Sequence, residues 1–328
     1  MNGNLAKCTV IGHGLIGAPL CDRINQTPGW GVERVITRTK EKHPLSRLED
    51  IVPNGTTIAF LAIPTYDGGE EAYGYIRHFV EQDIPIVTCE KGALSHHYDK
   101  LRRHLHLIGH NATVGGGTRM IEHLKGRQLN RENVIVWAVI NGSLNYIFEE
   151  IGKGEAALGG AIEEAKRLRS IEPNAYDPLA ILNGEIKDTA MKVSVLFNTC
   201  FSAGEALNMP QLKVEYLDEA SLSRLVREAA NRRYVVSFSR SEEDGNDKLA
   251  GFTHKIGGWF ISAGFKRIDS NPLFPKWLPR GLDNSVLISE GVLGAEGVYT
   301  LTGPGAGPKP TVASMILDAQ QMLLSKAA

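Results

Sequence analysis

The first third of the chain alternates short apolar runs with amphipathic stretches. Four runs rich in β-branched and aliphatic residues are typical of buried strands, at 7–11, 32–37, 57–63 and 84–89. Apolar residues recur at helical spacing in two stretches between these runs, 15–24 and 69–82. Strands that alternate with helices are typical of parallel sheets, so this part of the sequence predicts a doubly wound α/β fold.

From about residue 118 the pattern changes to longer helices and paired strands. Helices are predicted at 144–169, with a weak break near the glycines at 152–160, and at 185–201, 221–230 and 311–326. Strands are predicted at 134–142, on both sides of the acidic turn within 232–252, and at 285–292 and 297–303. The stretch 265–282 matches no motif that indicates a role. The sequence therefore predicts a parallel α/β part followed by an α+β region.

Composition excludes several classes of partner. Hydrophobic residues make up 42% and charged residues 22% of the 328 residues, which is ordinary for a globular protein. A formal net charge of −1 favours neither a nucleic acid nor an anionic membrane as partner. The four cysteines lie far apart without metal-binding spacing, which favours reduced thiols. With no leader and no run long enough to span a bilayer, the sequence predicts a cytoplasmic protein.

A glycine-rich turn, GHGLIG at 12–17, directly follows the first predicted strand and opens a helix. This context is the one in which such a motif binds a dinucleotide. Gly12 allows a tight turn, Gly14 lets the backbone approach the pyrophosphate, and Gly17 lets the helix pack closely. The predicted cofactor-binding backbone comprises Gly12, Gly14, Leu15, Ile16 and Gly17. Glycine turns between a strand and a helix also occur without ligands.

The end of the second predicted strand indicates which nucleotide binds. An NAD(H) site usually has an Asp or Glu there, but this chain continues Thr37-Arg38-Thr39-Lys40 and has no acid before Glu41. An arginine suits the 2′-phosphate, so Arg38 favours NADP(H), with NAD(H) as the alternative. Arg38 and Lys40 could instead be solvated cations of a loop.

Four further motifs follow in order: VTCEKGAL at 87–94, ATVGGG at 112–117, NGSLNYIF at 141–148 and GPGAGPKPTVAS at 303–314. Together with the glycine turn, they make the chain resemble the homoserine dehydrogenases. The resemblance implies an oxidoreductase that interconverts L-homoserine and L-aspartate 4-semialdehyde, in threonine, methionine and isoleucine biosynthesis. It also implies the short form of the family, without an appended regulatory or kinase domain.

The family fold implies a Rossmann-like dinucleotide-binding domain at 1–130 and 303–328, completed by the last helix. Residues 131–302 would form the catalytic and dimerisation region, with a mixed sheet that makes a homodimer. Two rival interpretations remain. One is a related amino-acid dehydrogenase, such as one that acts on aspartate, and the other is an NADP(H)-binding regulator without turnover.

The resemblance assigns several residues to the cofactor. Lys91 corresponds to the lysine of the family's V-T-A-N-K motif and would lie beside both cofactor and substrate. Thr88 and Ile63, at the ends of the fourth and third strands, would line the nicotinamide ribose crevice. Gly305, in the GPGAG loop, would also contact the cofactor. Lys91 could instead be an exposed lysine, and Thr88 and Ile63 could simply end their strands.

Substrate-binding residues are implied in two places. Glu172 resembles the glutamate that holds the substrate ammonium group, and Asp177 resembles an acid in the same loop. Gly142 and Ser143, in the NGS motif, would contact the substrate as well. Here the sequence departs from the family pattern, because the stretch from Glu172 to Lys192 is several residues longer than usual. Glu172 could therefore be a solvated acid that follows a helix.

The family's ATVGGG loop can bind a monovalent cation through backbone carbonyls. The matching residues here are Val114, Gly116 and Thr118, and the ion would be Na+ or K+. A family glutamate that also binds the cation is replaced by Asn111. The alternative is that these glycines make only a tight turn.

Asp188 and Lys192 lie four residues apart in a predicted helix, so both side chains face the same side. From Thr189 to Phe201 the remaining residues are uncharged and mostly apolar, which predicts a buried helix. Because burying a charge is costly, a lysine there needs a partner or a function. The pair also matches the family's D-x-x-x-K, whose lysine exchanges a proton with the substrate oxygen. The alternative is a structural salt bridge.

Overall fold

The computed structural model describes residues 6–37, 55–127, 129, 133–168, 170–171, 175–202, 204–242 and 247–327. Its strands are β1 Ala6–Ile11, β2 Trp30–Ile36, β3 Ile58–Leu61, β4 Ile86–Thr88, β5 Ile108–Gly109, β6 Val134–Val139, β7 Arg232–Ser239, β8 Leu249–Ile256, β9 Trp259–Arg267, β10 Asp283–Glu290 and β11 Gly297–Pro304. Its α-helices are α1 Gly17–Asn25, α2 Glu70–Val80, α3 Gly92–His96, α4 Tyr98–Leu101, α5 Met120–Lys125, α6 Gly142–Lys153, α7 Leu158–Arg167, α8 Pro178–Leu196, α9 Glu219–Arg227, α10 Phe274–Trp277 and α11 Pro308–Ala327.

The chain divides into two compact units. Unit 1 comprises Met1–Arg119 and Pro308–Ala328, and unit 2 comprises Met120–Gly307. The sequence predicts a dinucleotide-binding domain at 1–130 and 303–328 and a catalytic and dimerisation region at 131–302. These functional roles stay predictions.

Unit 1 contains a five-stranded sheet in the order β2-β1-β3-β4-β5. Each pairing between neighbouring strands is parallel, which confirms the predicted doubly wound sheet. The chain runs outward from β1 in one direction to β2 and in the other to β3. The carboxyl ends of β1 and β3 therefore flank the point where the strand order reverses, which is where such sheets bind ligands.

Helix α11 packs onto the unit 1 sheet although it lies about 190 residues further along the chain. Its apolar face joins the core formed with β1, α1 and β3, through Val312, Met315, Ile316 and Ala319. The buried carboxylate of Asp318 accepts hydrogen bonds from the Asn111 backbone N–H at 2.9 Å and from its Nδ2 at 2.8 Å. The Arg119 guanidinium pairs with the same carboxylate at 2.9 Å. Unit 1 is thus built from two separate stretches of the chain.

Unit 2 contains a six-stranded sheet in the order β11-β10-β6-β7-β9-β8. The prediction of a mixed sheet was wrong in this detail, because every described pairing is antiparallel. Short connections join β8 to β9 and β10 to β11, and a strand that returns through a tight turn must pair antiparallel with the strand before it. The predicted fold class, a parallel sheet followed by an α+β region, is confirmed.

The stretch 265–282, which suggested no role in the sequence, ends β9 and then covers one face of the unit 2 sheet. Phe274 and Trp277 pack against Trp137 and Leu287, and all four side chains are buried. Trp137 and Phe274 meet edge to face, with ring centroids 5.6 Å apart. The segment therefore shields the middle of this sheet face from solvent.

Among the described residues, the helices are all too short or too polar to cross a membrane.

Candidate active site

The glycine turn lies at the carboxyl end of β1 in unit 1. Gly12 has a positive φ of 94°, and a Cβ atom there would overlap the Ala62 carbonyl oxygen. A Cβ atom on Gly17 would overlap the Gly12 carbonyl, so α1 reaches this close to the turn only with a glycine. A Cβ atom on Gly14 would meet no described atom within 4 Å. The fold itself thus requires Gly12 and Gly17, whereas Gly14 leaves an open space in front of the turn.

The amino terminus of α1 suits an anion. Its first turn contains no acidic residue, and no side chain caps its first N–H groups. Free N–H groups and the helix dipole both favour a phosphate at such a position. Arg38, predicted to bind the 2′-phosphate, lies outside the described residues. The half-buried Ile63 lies next to Gly12, across the switch point between β1 and β3.

Glu90 organises the loop after β4. Its buried carboxylate accepts hydrogen bonds from the backbone N–H of Gly92 at 2.5 Å and of Ala93 at 3.0 Å, and from the Thr65 hydroxyl. The Thr88 hydroxyl accepts a bond from the Glu90 N–H at 2.9 Å. Glu90 stands where the family motif has asparagine, and it holds Lys91 at the start of α3. No local pattern in the sequence indicated this role.

Cys89 lies between Thr88 and Glu90 in this loop. Burial raises the pKa of its thiol to about 12, although the nearby Lys91 acts in the opposite direction. Cys89 is therefore a protonated, unreactive thiol at neutral pH.

The loop at 112–118 turns back on itself through a hydrogen bond from the Thr118 N–H to the Gly115 carbonyl, 2.7 Å long. Val114, Gly116 and Thr118 are all buried. The Asn111 side chain donates to Asp318, and its Oδ1 is buried without a partner among the described residues. Throughout the residues that the structure describes, no three His, Cys, Asp or Glu side chains are grouped so that they could hold a metal ion. A cation here would have to bind to carbonyl and amide oxygens.

The predicted Asp188–Lys192 pair forms in unit 2, on helix α8. Lys192 Nζ lies 2.8 Å from Asp188 Oδ2, and the two side chains are only 16% and 22% exposed. The same ammonium donates to the backbone carbonyl of Ile140 at 3.0 Å. This carbonyl stands where β6 has just ended and α6 is about to begin. The lysine is thereby fixed between a carboxylate and a strand end.

Asn141 joins a second carboxylate to the pair. Its Oδ1 caps α6 by accepting a bond from the Leu144 N–H at 2.9 Å. Its Nδ2 donates to Glu185 Oε2 at 2.7 Å and lies 3.5 Å from Asp188 Oδ2. The cluster thus brings two carboxyl groups close to one lysine. Glu185 was not predicted as a site residue, although its position three residues before Asp188 places it on the same helix face.

The other residues predicted to bind the substrate are not described as part of the Asp188–Lys192 cluster. A Cβ atom on Gly142 would overlap the Leu282 carbonyl, and the Ser143 hydroxyl donates to the Ser170 carbonyl at 2.8 Å. The exposed Asp177 caps α8 through the Leu179 N–H at 3.0 Å. Eleven residues of helix, about 16 Å, separate Asp177 from Asp188. Glu172 lies outside the described residues.

Comparison with known proteins decides the family. A family model described as homoserine dehydrogenase matches residues 120–319, which include the Asp188–Lys192 pair. The chain belongs to the homoserine dehydrogenase family. The family assignment made from the five motifs is confirmed.

Curated family members show the extent of the similarity. The chain is 28% identical to the homoserine dehydrogenase of Methanocaldococcus jannaschii over 185 residues, 54% of this chain and 52% of that protein. It is 27% identical to the enzyme of Pyrococcus horikoshii over 283 residues, 84% of this chain and 73% of that protein. The chain thus spans about half the length of the first relative and about three quarters of the second.

Solved structures of the family share the fold. A hyperthermophilic archaeal homoserine dehydrogenase in complex with NADPH superposes with a TM-score of 0.65 and 21% identity, over 98% of both chains. The enzyme of Thermoplasma acidophilum gives a TM-score of 0.68 and 18% identity, over 98% of this chain and 99% of that one. At these identities the likeness shows the fold alone.

Proposed function

We propose that this protein interconverts L-homoserine and L-aspartate 4-semialdehyde, with NADP(H) as the hydride carrier. The observation that carries the proposal is the Asp188–Lys192 pair, held against the Ile140 carbonyl within the region that the family model matches. A half-buried lysine fixed by two acceptors is suited to proton transfer at one defined point. A surface ion pair would not need the second acceptor.

Lys192 is the proposed proton donor. An ammonium group has three N–H donors, and the described partners of Lys192 use two of them. The third is available for the substrate oxygen. During aldehyde reduction Lys192 would give a proton to the alkoxide that forms at C4, and in the reverse direction the neutral amine would accept it. Asp188 and the Ile140 carbonyl keep the amine in place during both steps.

The nicotinamide cofactor supplies or accepts the hydride. The fit of a dinucleotide is supported by the open space at Gly14 and by the uncapped amino terminus of α1. The predicted contacts of Thr88, Ile63, Lys91 and Gly305 remain part of the proposal. NADP(H) is preferred because Arg38 stands where an NAD(H) site has an acid.

The choice between the two cofactors can be tested at one residue. Arg38→Asp should weaken NADP(H) binding at least tenfold more than NAD(H) binding, because it removes a phosphate partner and adds a like charge. Tenfold corresponds to about 1.4 kcal/mol. Fluorescence titrations with both reduced cofactors measure the difference, and an equal loss for both would remove Arg38 from the 2′ position.

The substrate is an amino acid, and the acidic cluster suits its positive end. Glu185 and Asp188 place two carboxyl groups beside Lys192, and carboxylates form charge-assisted hydrogen bonds with an ammonium group. Glu172 and Asp177 remain proposed partners of that group, and Gly142 and Ser143 of the substrate backbone.

A monovalent cation, Na+ or K+, is proposed at the carbonyls of Val114, Gly116 and Thr118. The buried Asn111 Oδ1, which has no partner in the described part of the chain, supplies one neutral oxygen at this loop. Such an ion would hold the loop in shape and would take no part in proton transfer.

The resemblance to the family also supports a proposal for the oligomeric state, cellular location and pathway of the protein. The protein would act as a homodimer in the cytoplasm, in threonine, methionine and isoleucine biosynthesis. Residues 1–130 and 303–328 would bind the dinucleotide, and 131–302 would provide the catalytic and dimerisation surfaces.

The deciding experiment follows NADPH absorbance after L-homoserine is added to purified protein with NADP+, with K+ or Na+ present. We expect turnover with L-homoserine and little with L-aspartate, the substrate of the rival interpretation. The Lys192→Ala variant serves as the inactive control. Absence of turnover in both directions at several pH values would refute the proposed function.

A further inference from the structure

Asn284 is a fully buried side chain whose amide makes no hydrogen bond within the described part of the chain. Its exposure is 0%, and both Oδ1 and Nδ2 lack a partner there. Buried amides normally have partners, because leaving one unpaired destabilises the fold. Asn198 shows the normal case in the same unit, since its Nδ2 donates to the Leu207 carbonyl at 2.8 Å and its Oδ1 accepts from the Leu207 N–H at 2.7 Å.

The register of the sheet places Asn284 near Lys192. Ser285, the next residue of β10, pairs with Val139 at the end of β6. Continuing this register by one residue sets Asn284 opposite Ile140, whose carbonyl accepts the Lys192 ammonium at 3.0 Å. Facing residues on adjacent antiparallel strands have Cβ atoms about 5 Å apart. The unpaired amide is therefore one strand away from the residue that holds the proposed proton donor.

Gly305 fixes the space that the amide occupies. A Cβ atom on Gly305 would overlap the carboxamide of Asn284, so any larger residue there would displace it. Asn284 also pairs with Gly303 of the same loop across the β10–β11 ladder. The glycines of the GPGAG motif thus leave room for a buried polar group.

We propose that the Asn284 carboxamide binds the amino-acid end of the substrate while Lys192 acts on the oxygen at the other end. This inference rests on the proposed function. A carboxamide presents a donor and an acceptor side by side, which matches the carboxylate and ammonium groups of a zwitterion. In L-homoserine three bonds separate the hydroxyl oxygen from Cα, a span similar to the distance between adjacent strands. Asn284 would then select amino acids over simple alcohols of the same length.

The test uses Asn284→Leu, which has nearly the same shape but no hydrogen-bonding groups. Because the replaced amide has no described partner, the melting temperature should not fall. We expect KM for L-homoserine to rise at least tenfold, with a smaller change in kcat and with NADPH affinity unchanged. The matched control is Asn198→Leu, which removes an amide that is already bonded. It should lower the melting temperature and leave KM unchanged.

Two analogues identify the group that Asn284 binds. 4-Hydroxybutanoate lacks the ammonium group of homoserine, and 3-aminopropan-1-ol lacks the carboxylate. Wild-type protein should prefer L-homoserine over both, and Asn284→Leu should narrow the preference over at least one of them. If the leucine variant does not fold, Asn284→Ser should show the same pattern, because serine is too short to reach the same groups.

The results that would overturn the role of Asn284 differ from the result that would refute the proposed function. An active wild type whose KM and analogue preference are unchanged in Asn284→Leu overturns the role of Asn284 and assigns the amide to an internal water. A loss of NADPH affinity without a change in KM also overturns it, because the amide would then face the cofactor. A wild type that does not turn over L-homoserine in either direction refutes the proposed function itself.

Discussion

Lys192 is the residue on which the proposed chemistry depends most directly. Lys192→Ala removes the proton donor but leaves the glycine turn and Arg38 intact. We therefore expect kcat to fall by about 10²–10⁴-fold, the usual contribution of general acid catalysis, while NADPH still binds. Steady-state kinetics and fluorescence titration on one preparation measure both quantities.

A matched lysine separates this effect from the loss of an ordinary ion pair. Lys153 also pairs with an acid one helical turn away, Glu149 at 3.1 Å, but its side chain is 44% exposed. Lys153→Ala should leave kcat unchanged. The double variant Asp188→Leu/Lys192→Met adds a second check, because an apolar pair often replaces a structural salt bridge without loss of stability. If that variant folds and turns over normally, Lys91 becomes the candidate proton donor.

Glu228 gives a residue-scale prediction about pH. Hydrogen bonds from Arg224 at 2.8 Å and from Arg232 at 2.5 Å lower the pKa of Glu228 to about 2. Its unfolded value is about 4.3, so its contribution to stability is complete above that pH and is lost as the pH falls towards 2. Glu228→Gln should therefore melt below the wild type at neutral pH, and the gap should close between pH 4 and 2. Melting curves across this range test it, and a constant gap would contradict the lowered pKa.

At the scale of elements, the β1–α1 turn contains two glycines that should behave differently. Gly14→Ala meets no described atom within 4 Å, whereas Gly17→Ala overlaps the Gly12 carbonyl. We expect Gly14→Ala to weaken NADPH binding at least tenfold with an unchanged melting temperature. Gly17→Ala should lower both. Parallel titrations and melting curves compare the variants, and full NADPH affinity in Gly14→Ala would mean that the pyrophosphate lies elsewhere.

Elements with strong periodicity could be predicted from the sequence, and those defined by tertiary contacts could not. β1 and α11 are long enough to show their pattern, but β5 has only two residues, Ile108–Gly109. Strand β9 was not predicted from the sequence, because serine and glycine interrupt its apolar positions. Helix α8 begins seven residues before the predicted start, since Asp177 caps it and Pro178 occupies its first turn.

The candidate site also contains some features that local spacing predicts and others that only tertiary contacts create. Asp188 and Lys192 could be paired from their spacing on one helix. Asn141 is linked to Glu185 only because β6 ends where α8 passes, at a sequence separation of 44 residues. The unpaired state of Asn284 depends on strand register and on the absent side chain of Gly305. Such features arise when distant segments pack together, so no local pattern predicts them.

At the scale of the whole molecule, the Asp318–Arg119 pair joins the last helix to the first part of the chain. Asp318 is 2% and Arg119 13% exposed, and Asp318 also accepts two bonds from Asn111. Asp318→Ala would remove the carboxylate from a nearly buried guanidinium, which keeps only neutral partners such as the Ser314 carbonyl at 2.9 Å among those described. Breaking a buried ion pair in this way costs about 3–5 kcal/mol. We expect a large fall in melting temperature together with weaker NADPH binding.

The same helix offers a control. Lys326 pairs with Asp83 at 3.2 Å, but both side chains are more than half exposed. Such a pair contributes about 0–1 kcal/mol, so Lys326→Ala should melt close to the wild type. Equal losses in the two variants would show that the helix docks by its apolar face and not through Asp318.

The divided make-up of unit 1 also sets an order of events during protein synthesis. Residues 6–119 leave the ribosome first, yet Val312, Met315 and Ile316 of their core are translated only after residues 120–307. At ordinary elongation rates the intervening stretch takes roughly 10–40 s to make. During that interval the apolar surface that α11 will cover is open to chaperones and to other nascent chains, while residues 120–307 already form a continuous folding unit. Newly made chains should therefore become able to bind the nucleotide only after unit 2 has folded.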